Sequence, residues 1–395
     1  MLTTRPFEQI RSRLFRIVTL ATLVIAHGGM GIGLAYAEQT KAPAASKSAI
    51  AVGVVAKGLE HPWGLAFLPD GRTMVTERPG RVRIVSTDGR LSQPLSGAPK
   101  VAATGQGGLL DIALAPDFAR SRLVYLTFSE PRGERTNGTS VARARLVGDR
   151  GEERFEELAV IFRQEPALRS GLHFGSRLAF APDGNLFVTL GERFEMRFAQ
   201  DLGRHWGKVV RLAPDGSAVS DNPFVGKAGA RAEIWSYGHR NPQAAAIHPS
   251  TGALWIVEHG PRGGDEVNII ERGANYGWPV IGYGIDYSGA RLHEATHKDG
   301  MKQPAYYWVP SIAPSGMAFY TGTLWPDWKG NLLVGALAER TLHRLVLDGP
   351  RVVAEEVLLR DRGKRIRDVR QAPDGALWLL TDEADGEVLR LTPGT

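Results

Sequence analysis

The chain has no cysteine in its 395 residues. That absence excludes disulfides, thiolate metal sites and cysteine nucleophiles, and in an exported protein it removes the risk of wrong pairing. Beyond residue 37 there is also no apolar run approaching the roughly 18 residues that a membrane-spanning helix needs. A basic stripe with interleaved aromatics is missing as well, which argues against a nucleic-acid partner. Charge of one sign is scarce: the formal net value is +6, and four arginines and one glutamate in the first 37 residues carry half of that, leaving +3. With 43% hydrophobic and 23% charged residues, the composition is that of an ordinary globular protein.

The N-terminus differs from everything after it. Arg5, Arg11, Arg13 and Arg16 precede an apolar stretch that starts at Ile17, and Ala35-Tyr36-Ala37 closes it. A charged region, an apolar region and an A-x-A site predict a secretory signal peptide over residues 1–37, cut before Glu38, with export to a bacterial periplasm. Gly28, Gly29, Gly31 and Gly33 weaken the competing reading of an uncleaved anchor helix. Residues 38–50, rich in Ala, Lys and Ser, read as a flexible leader.

From residue 51 to the end one phrase recurs. Its clearest copies are GLAFLPDGRTMVTER from Gly64, RLAFAPDGNLFVTLGER from Arg177 and DVRQAPDGALWLLTDE from Asp368; looser copies start near 111, 243 and 316. In each, an apolar run enters a polar turn and a second run alternates apolar and polar residues. Pro presets the turn, Asp bonds back to the backbone and Gly takes positive φ, so each copy predicts a β-hairpin. The spacing suits a four-stranded sheet plus a variable loop. Six such sheets predict an all-β domain over 51–395, a six-bladed β-propeller with four-stranded antiparallel blades.

Polar residues that a plain blade does not need lie between the repeats. Gln106, set among glycines in GQGGLLDIA, offers a donor and an acceptor where backbone can approach a flat ligand. His173, in GLHFGSRLAF, stands before an inner strand with an imidazole suited to accepting a proton, although a lone His is also a common structural residue. Arg240 and Asn241, in GHRNPQ, have no acid within seven residues other than Glu233, so an external anion is a reasonable partner for the guanidinium. The glycine-rich EHGPRGGDEVNII segment brings free carbonyls together with Asp265 and Glu266, oxygen donors that suit Ca²⁺ better than zinc. Arg365 and Arg367 alternate onto one face at the start of the last repeat. Aimed at the axis with Arg240, they would hold an oxyanion-rich ligand.

Taken in order, GQGGLL, LHFGSRL, GHRNPQ, GPRGGDEVN with NYGWP, and RIRD before the final PDG repeat resemble the soluble pyrroloquinoline-quinone (PQQ)-dependent glucose/sorbosone dehydrogenase family, and more closely its periplasmic aldose sugar dehydrogenase branch. The resemblance implies a PQQ cofactor, Ca²⁺, a small-molecule aldose as substrate and oxidation at C1 to the lactone. It implies that His173 is the general base for the anomeric hydroxyl, with hydride passing to the quinone, and that Arg240 stabilises the charge that develops. Gln106, Asn241 and Tyr287 would contact the cofactor, and Arg365 and Arg367 would clamp its carboxylates. Gly260 and Pro261 would offer carbonyls to one Ca²⁺, and Glu266 and Tyr276 would serve a second. The electron acceptor stays undefined, and the assembly would be a monomer or homodimer.

Two departures from the family pattern matter. Ala338 stands where relatives place a cofactor-pairing Lys, so a cation is lost there unless Arg340 reaches in, and cofactor affinity should be weaker. Leu172 precedes His173 where glucose-oxidising relatives have Asp, which leaves the base without an adjacent carboxylate. Two other readings compete on the same propeller. A Ca²⁺-dependent sugar lactonase would need several carboxylates converging on one axial metal; a non-catalytic binding propeller would expose aromatic patches in place of inward Arg and His.

Overall fold

The computed structural model describes residues 42–149 and 151–394; the signal-peptide reading of residues 1–37 lies outside the described residues. Each PDG repeat closes as its sequence dictates. In the first, the Asp70 carboxylate accepts the Arg72 N–H at 3.1 Å, Gly71 takes φ +87°, and Leu68 N–H bonds back to Arg72 O at 2.8 Å. The same Asx turn recurs at Asp183 with Asn185 at 2.9 Å and at Asp374 with Ala376 at 3.0 Å. A short polar side chain satisfies the turn backbone, and glycine supplies the dihedral that other residues resist.

The apolar run of every repeat becomes the innermost strand of one sheet. These strands are Pro62–Phe67, Leu109–Leu114, Gly175–Phe180, Pro242–Ile247, Pro314–Phe319 and Ile366–Gln371, one in each of six antiparallel sheets, here numbered blades 1 to 6. Large apolar side chains pack between neighbouring blades: Leu68, Met74 and Ile84 of blade 1 share one cluster with Val124, Leu126 and Phe155 of blade 2. The ring is closed by the chain's own start. Strand Ile50–Leu59 pairs with Gly386–Pro393 as the outer strand of blade 6, so first and last segments complete one sheet and leave fewer open edges.

Two details differ from expectation. Blade 1 has three strands, with the single Val85–Leu91 bridge in place of a fourth. The leader expected to be flexible over 38–50 is tied down in its described part. Ala45 N–H bonds to Glu355 O at 2.9 Å, Glu355 N–H to Pro43 O at 2.9 Å, and Ser48 Oγ to Glu356 at 2.9 Å. Its small residues lie along the outer strand of blade 5, covering an otherwise open edge.

Close approach at the axis requires glycine. A Cβ on Gly316 would stand 2.5 Å from both Asp368 Cα and Val369 N, in the neighbouring blade. Gly316→Ala should therefore destabilise the ring by about 1–3 kcal/mol, the usual cost of overpacking. Urea unfolding measures this, and an unchanged midpoint would contradict so tight a contact between the blades.

Candidate functional site

Two sets of backbone positions converge at one end of the axis. The residues that lead into or open an inner strand carry Gln106, His173, Arg240, Asn241, Arg365 and Arg367. The residues that leave the second strand of a blade carry Arg78, Glu192, Glu258, His259 and Asp382. Because every blade repeats the same geometry, both sets point into the same space.

The hub cavity, about 270 Å³, is lined by Trp63, Arg78, Gln106, Gln243, Arg365 and Arg367 among others, with Asp382 as its one carboxylate. Arg367 donates to Asp382 at 2.8 Å and to Gln243 Oε1 at 3.0 Å; Arg365 reaches the same Asp382 at 3.4 Å. The two arginines read as free clamps thus share a counter-ion, and buried Asp382 is held well below the usual carboxylate range because their charges outweigh its desolvation. Three arginines against one aspartate still leave the cavity cationic. Arg78 makes no side-chain hydrogen bond or ion pair among the described residues, and burial depresses its pKa. Two further buried donors, Arg367 Nε and Asn241 Nδ2, have no hydrogen-bond partner among the described residues. Unpaired buried donors around a cationic cavity of this size are what a multiply anionic, hydrogen-bonding ligand would satisfy.

His173 stands next to Phe174 and Gln106 of this lining, 5% exposed, with φ +51°. Its N–H donates to Gln106 Oε1 at 2.9 Å, which fixes one site residue against another. The expectation that it lacks a carboxylate is corrected by the structure: Nδ1 lies 2.8 Å from Glu192 Oε2, supplied by the end of a neighbouring strand 19 residues on. With Glu192 accepting the Nδ1 proton, the lone pair of the neutral ring falls on Nε2. Burial holds the imidazole below its ordinary pKa of 6.5 despite the opposing pull of Glu192, so His173 is neutral and able to take a proton at neutral pH. Glu192 N–H in turn bonds to Arg240 O at 2.9 Å, which ties the dyad to the next blade.

Arg240 is 4% exposed and finds no carboxylate for its guanidinium among the described residues. Nη1 donates to Gly260 O at 2.7 Å and to His259 O at 3.2 Å, and Nη2 to the hydroxyl of Tyr287 at 3.3 Å. Asn241 Oδ1 accepts from Gly175 N at 3.1 Å and Gln243 Nε2 at 3.1 Å. His259 lines both the hub cavity and a second, smaller one; its Nε2 bonds Pro314 O at 2.6 Å, and burial pushes its pKa down to about 3. The permanent charges of Arg240 and Arg367 lower it further, so these groups share one electrostatic environment.

The second cavity, about 20 Å³, brings together Arg240, Glu258, Gly260, Pro261, Glu266 and Tyr276. That is room for one water or one ion. Glu266 is pushed up by burial and by the adjacent Glu258 carboxylate, while Asn268 Oδ1 beside them is buried without a hydrogen-bond partner among the described residues. A buried acidic pair with a spare carbonyl suits a hard cation. Gly260 alone does not, because its carbonyl already takes the Arg240 hydrogen bond and a metal there would face a like charge; that position requires an anionic ligand as well. Tyr276 stacks on His239 at 4.8 Å and donates its hydroxyl to Ile269 O at 2.6 Å. Among the described residues no group of three or more His, Asp or Glu side chains is arranged to hold a metal by itself. Asp265 is not a free donor either: it accepts from Gly260 N at 2.8 Å, Ile312 N at 2.7 Å and Ala313 N at 3.0 Å.

Ala338 is a further correction. It is exposed, its N–H bonds Ile312 O at 3.0 Å, and it takes no part in the hub lining, while Arg340 turns away to Gly363 O at 2.8 Å. Arg78, overlooked in the sequence, supplies a cation in the hub. The carboxylates at the axis, Asp111 and Asp368, are engaged with Arg177 and Arg370. Among the described residues no group of three or more carboxylates converges on one point, the arrangement that the lactonase reading requires.

The fold recurs in known proteins. The family model for glucose/sorbosone dehydrogenase matches residues 59–390. The chain is 48% identical over 352 residues to the aldose sugar dehydrogenase YliI of Escherichia coli, covering 88% of this chain and 94% of that one. It is similar to the crystal structure of the soluble aldose sugar dehydrogenase from E. coli in its apo-form, with TM-score 0.85 at 47% identity and 87% and 99% of the two chains covered. The PQQ-bound form of an aldose sugar dehydrogenase from Streptomyces coelicolor superposes with TM-score 0.72 at 32% identity, covering 88% and 99%.

The dyad has a measurable signature. In a ring-proton NMR titration, His173 should titrate below 6.5. Glu192→Gln should lower its pKa further by removing the stabilising carboxylate, and can force the proton onto Nε2. A His173 that titrates at or above the ordinary value in the parent would contradict the burial argument.

Proposed function

Because the chain belongs to the glucose/sorbosone dehydrogenase family, we propose that it oxidises aldose sugars at C1 to lactones, using PQQ with Ca²⁺. The observation that carries this reading is the cationic hub with unpaired donors beside a neutral, carboxylate-backed His173. When bound, PQQ supplies an ortho-quinone that accepts the hydride, and hence two electrons, from the substrate carbon. Arg78, Arg365 and Arg367 hold its carboxylates, with Gln106 and Asn241 as hydrogen-bond partners and Tyr287 at the rim.

His173 Nε2 removes the proton of the anomeric hydroxyl, and Glu192 stabilises the imidazolium that results, as a buried carboxylate does for any paired His base. Arg240, fixed by Gly260 and Tyr287, gives the site a permanent charge that needs no reorganisation when negative charge develops. The Glu258–Glu266 pocket holds the cation; Gly260 and Pro261 offer carbonyls to one only in the presence of the anionic cofactor. Export to the periplasm is part of the proposal, supported by the order of charged, apolar and A-x-A segments in residues 1–37. Among the described residues no helix is long and apolar enough to cross a membrane.

Apoprotein given PQQ and Ca²⁺ should develop a bound-quinone absorption band and reduce a dye with aldoses; chelator treatment should weaken both. His173→Ala should keep the band and lose turnover by about 10²–10⁴-fold, the range of general-base catalysis. A variant with parental rate would remove His173 from the mechanism. Arg78→Ala should weaken quinone binding by about 10–100-fold, the worth of a charge-assisted contact, as read from titration of the band. Unchanged affinity would show that Arg78 does not replace the cation missing at position 338.

A further inference from the structure

Two aromatic side chains are exposed among the described residues, Phe194 at 58% and Tyr287 at 61%. Tyr287 contacts Arg240, whereas Phe194 stands against His173, ring centroids 5.4 Å apart and planes inclined by 65°. Nothing in the packing asks for a phenylalanine at 194. The ring buries little, and its backbone, like that of Arg193 before it, lies in the left-handed region, with φ +68° and +63°. Glycine or asparagine would adopt that conformation more easily.

The turn is nevertheless held firmly. Arg193, 1% exposed, donates to Leu172 O at 2.9 Å and Ser170 O at 2.7 Å and lies 3.9 Å over the Phe174 ring. Phe194 N–H donates to Glu192 Oε2, the same oxygen that faces His173 Nδ1. One carboxylate thus fixes the base and the ring together. A strained, rigidly anchored and solvent-facing aromatic next to a general base points to a ligand outside the chain.

We propose that Phe194 is a specificity-determining residue: its face receives the apolar C–H face of the aldose ring and so sets the anomeric hydroxyl before His173. This rests on the aldose-oxidising reading above. Aromatic faces favour flat, C–H-rich surfaces, and only a molecule within reach of His173 benefits from a ring edge-on to it. The site therefore favours cyclic aldopyranoses over short aldoses that have no ring to stack. A protein or dye electron acceptor is the competing occupant, and the test separates the two.

Holoenzyme reconstituted with PQQ and Ca²⁺ is compared with Phe194→Asn, which keeps the left-handed backbone and removes the ring, and with Phe194→Tyr, which keeps the ring. Matching melting temperatures and quinone bands establish that the variants are folded and loaded. Phe194→Asn should raise KM for glucose about tenfold, as lost stacking implies, with kcat within about threefold. KM for glyceraldehyde and for the dye should not move, and Phe194→Tyr should restore glucose KM. An unchanged glucose KM overturns the proposal; so does a shift confined to the dye, which would make the ring an acceptor contact. A fall in kcat for glucose and glyceraldehyde alike also overturns it, because the ring would then only position the base. If the parent oxidises no aldose, the proposed function fails with it, whereas an active parent with an indifferent Phe194→Asn sinks this inference alone.

Discussion

An ionic plate at the hub holds the ring together. Arg177, fully buried, lies 3.1 Å from Asp111 and 2.9 Å from Asp368, and Arg370 pairs with the same two carboxylates at 3.0 Å each. Arg177 also donates to Gln243 O at 2.7 Å and Arg367 O at 3.0 Å, and covers the Trp63 ring at 4.1 Å. The aspartates accept backbone N–H groups of adjoining inner strands, Leu178 at 2.9 Å and Leu65 at 3.2 Å, while Gly64 and Gly316 clear the space for them. Every blade is touched by this group. Two cations and two anions cancel, which makes the plate tolerable in a buried place; removal of one partner would leave an unpaired charge worth about 3–5 kcal/mol.

The plate also divides the axis into two chambers. Toward one face the inner strands diverge into a funnel of about 460 Å³ whose walls are mostly Leu, Ala, Ile and Phe. Toward the other lies the cationic cavity with Arg78, Arg365 and Arg367. Arg177 holds the carbonyl of Arg367, and Trp63 lies between the two guanidinium groups, at 4.1 Å and 5.5 Å. The element that closes the ring therefore also fixes the floor of the site. The proposed redox chemistry on a sugar would need such rigidity, because a base, a cation and a cofactor from different blades would have to keep their spacing without reorganising during the reaction.

The blades were legible because their signal is local. An Asx turn, a positive-φ glycine and period-two alternation are all contained within about 15 residues. Residues just before each inner strand, such as Gln106, His173 and Arg240, stood out because a plain blade does not need them. The partner set was missed, although the signal was present: Glu77-Arg78, Glu192-Arg193, Glu258-His259 and Asp382-Glu383 follow corresponding second strands. Read along the chain, each looks like an ordinary polar strand ending. Leu172 misled for the same reason, since adjacency in sequence stood in for adjacency in space.

The sequence by itself determined the hairpins, their sixfold repetition and the residue types available at the blade entrances, because turn dihedrals and strand alternation depend on near neighbours. Tertiary structure alone decided that Glu192 backs His173, that Arg78 stands in the hub while Ala338 lies outside it, and that Asp382 serves both Arg365 and Arg367. Each acid follows the second strand of the same inner hairpin, whose register sets Leu190 opposite Gly175 and Ile366 opposite Thr381, so the partners are distant in sequence but adjacent across the ladder. Ring closure then gathers residues of different blades at one hub, where desolvation and Coulomb forces become large enough to set protonation and binding.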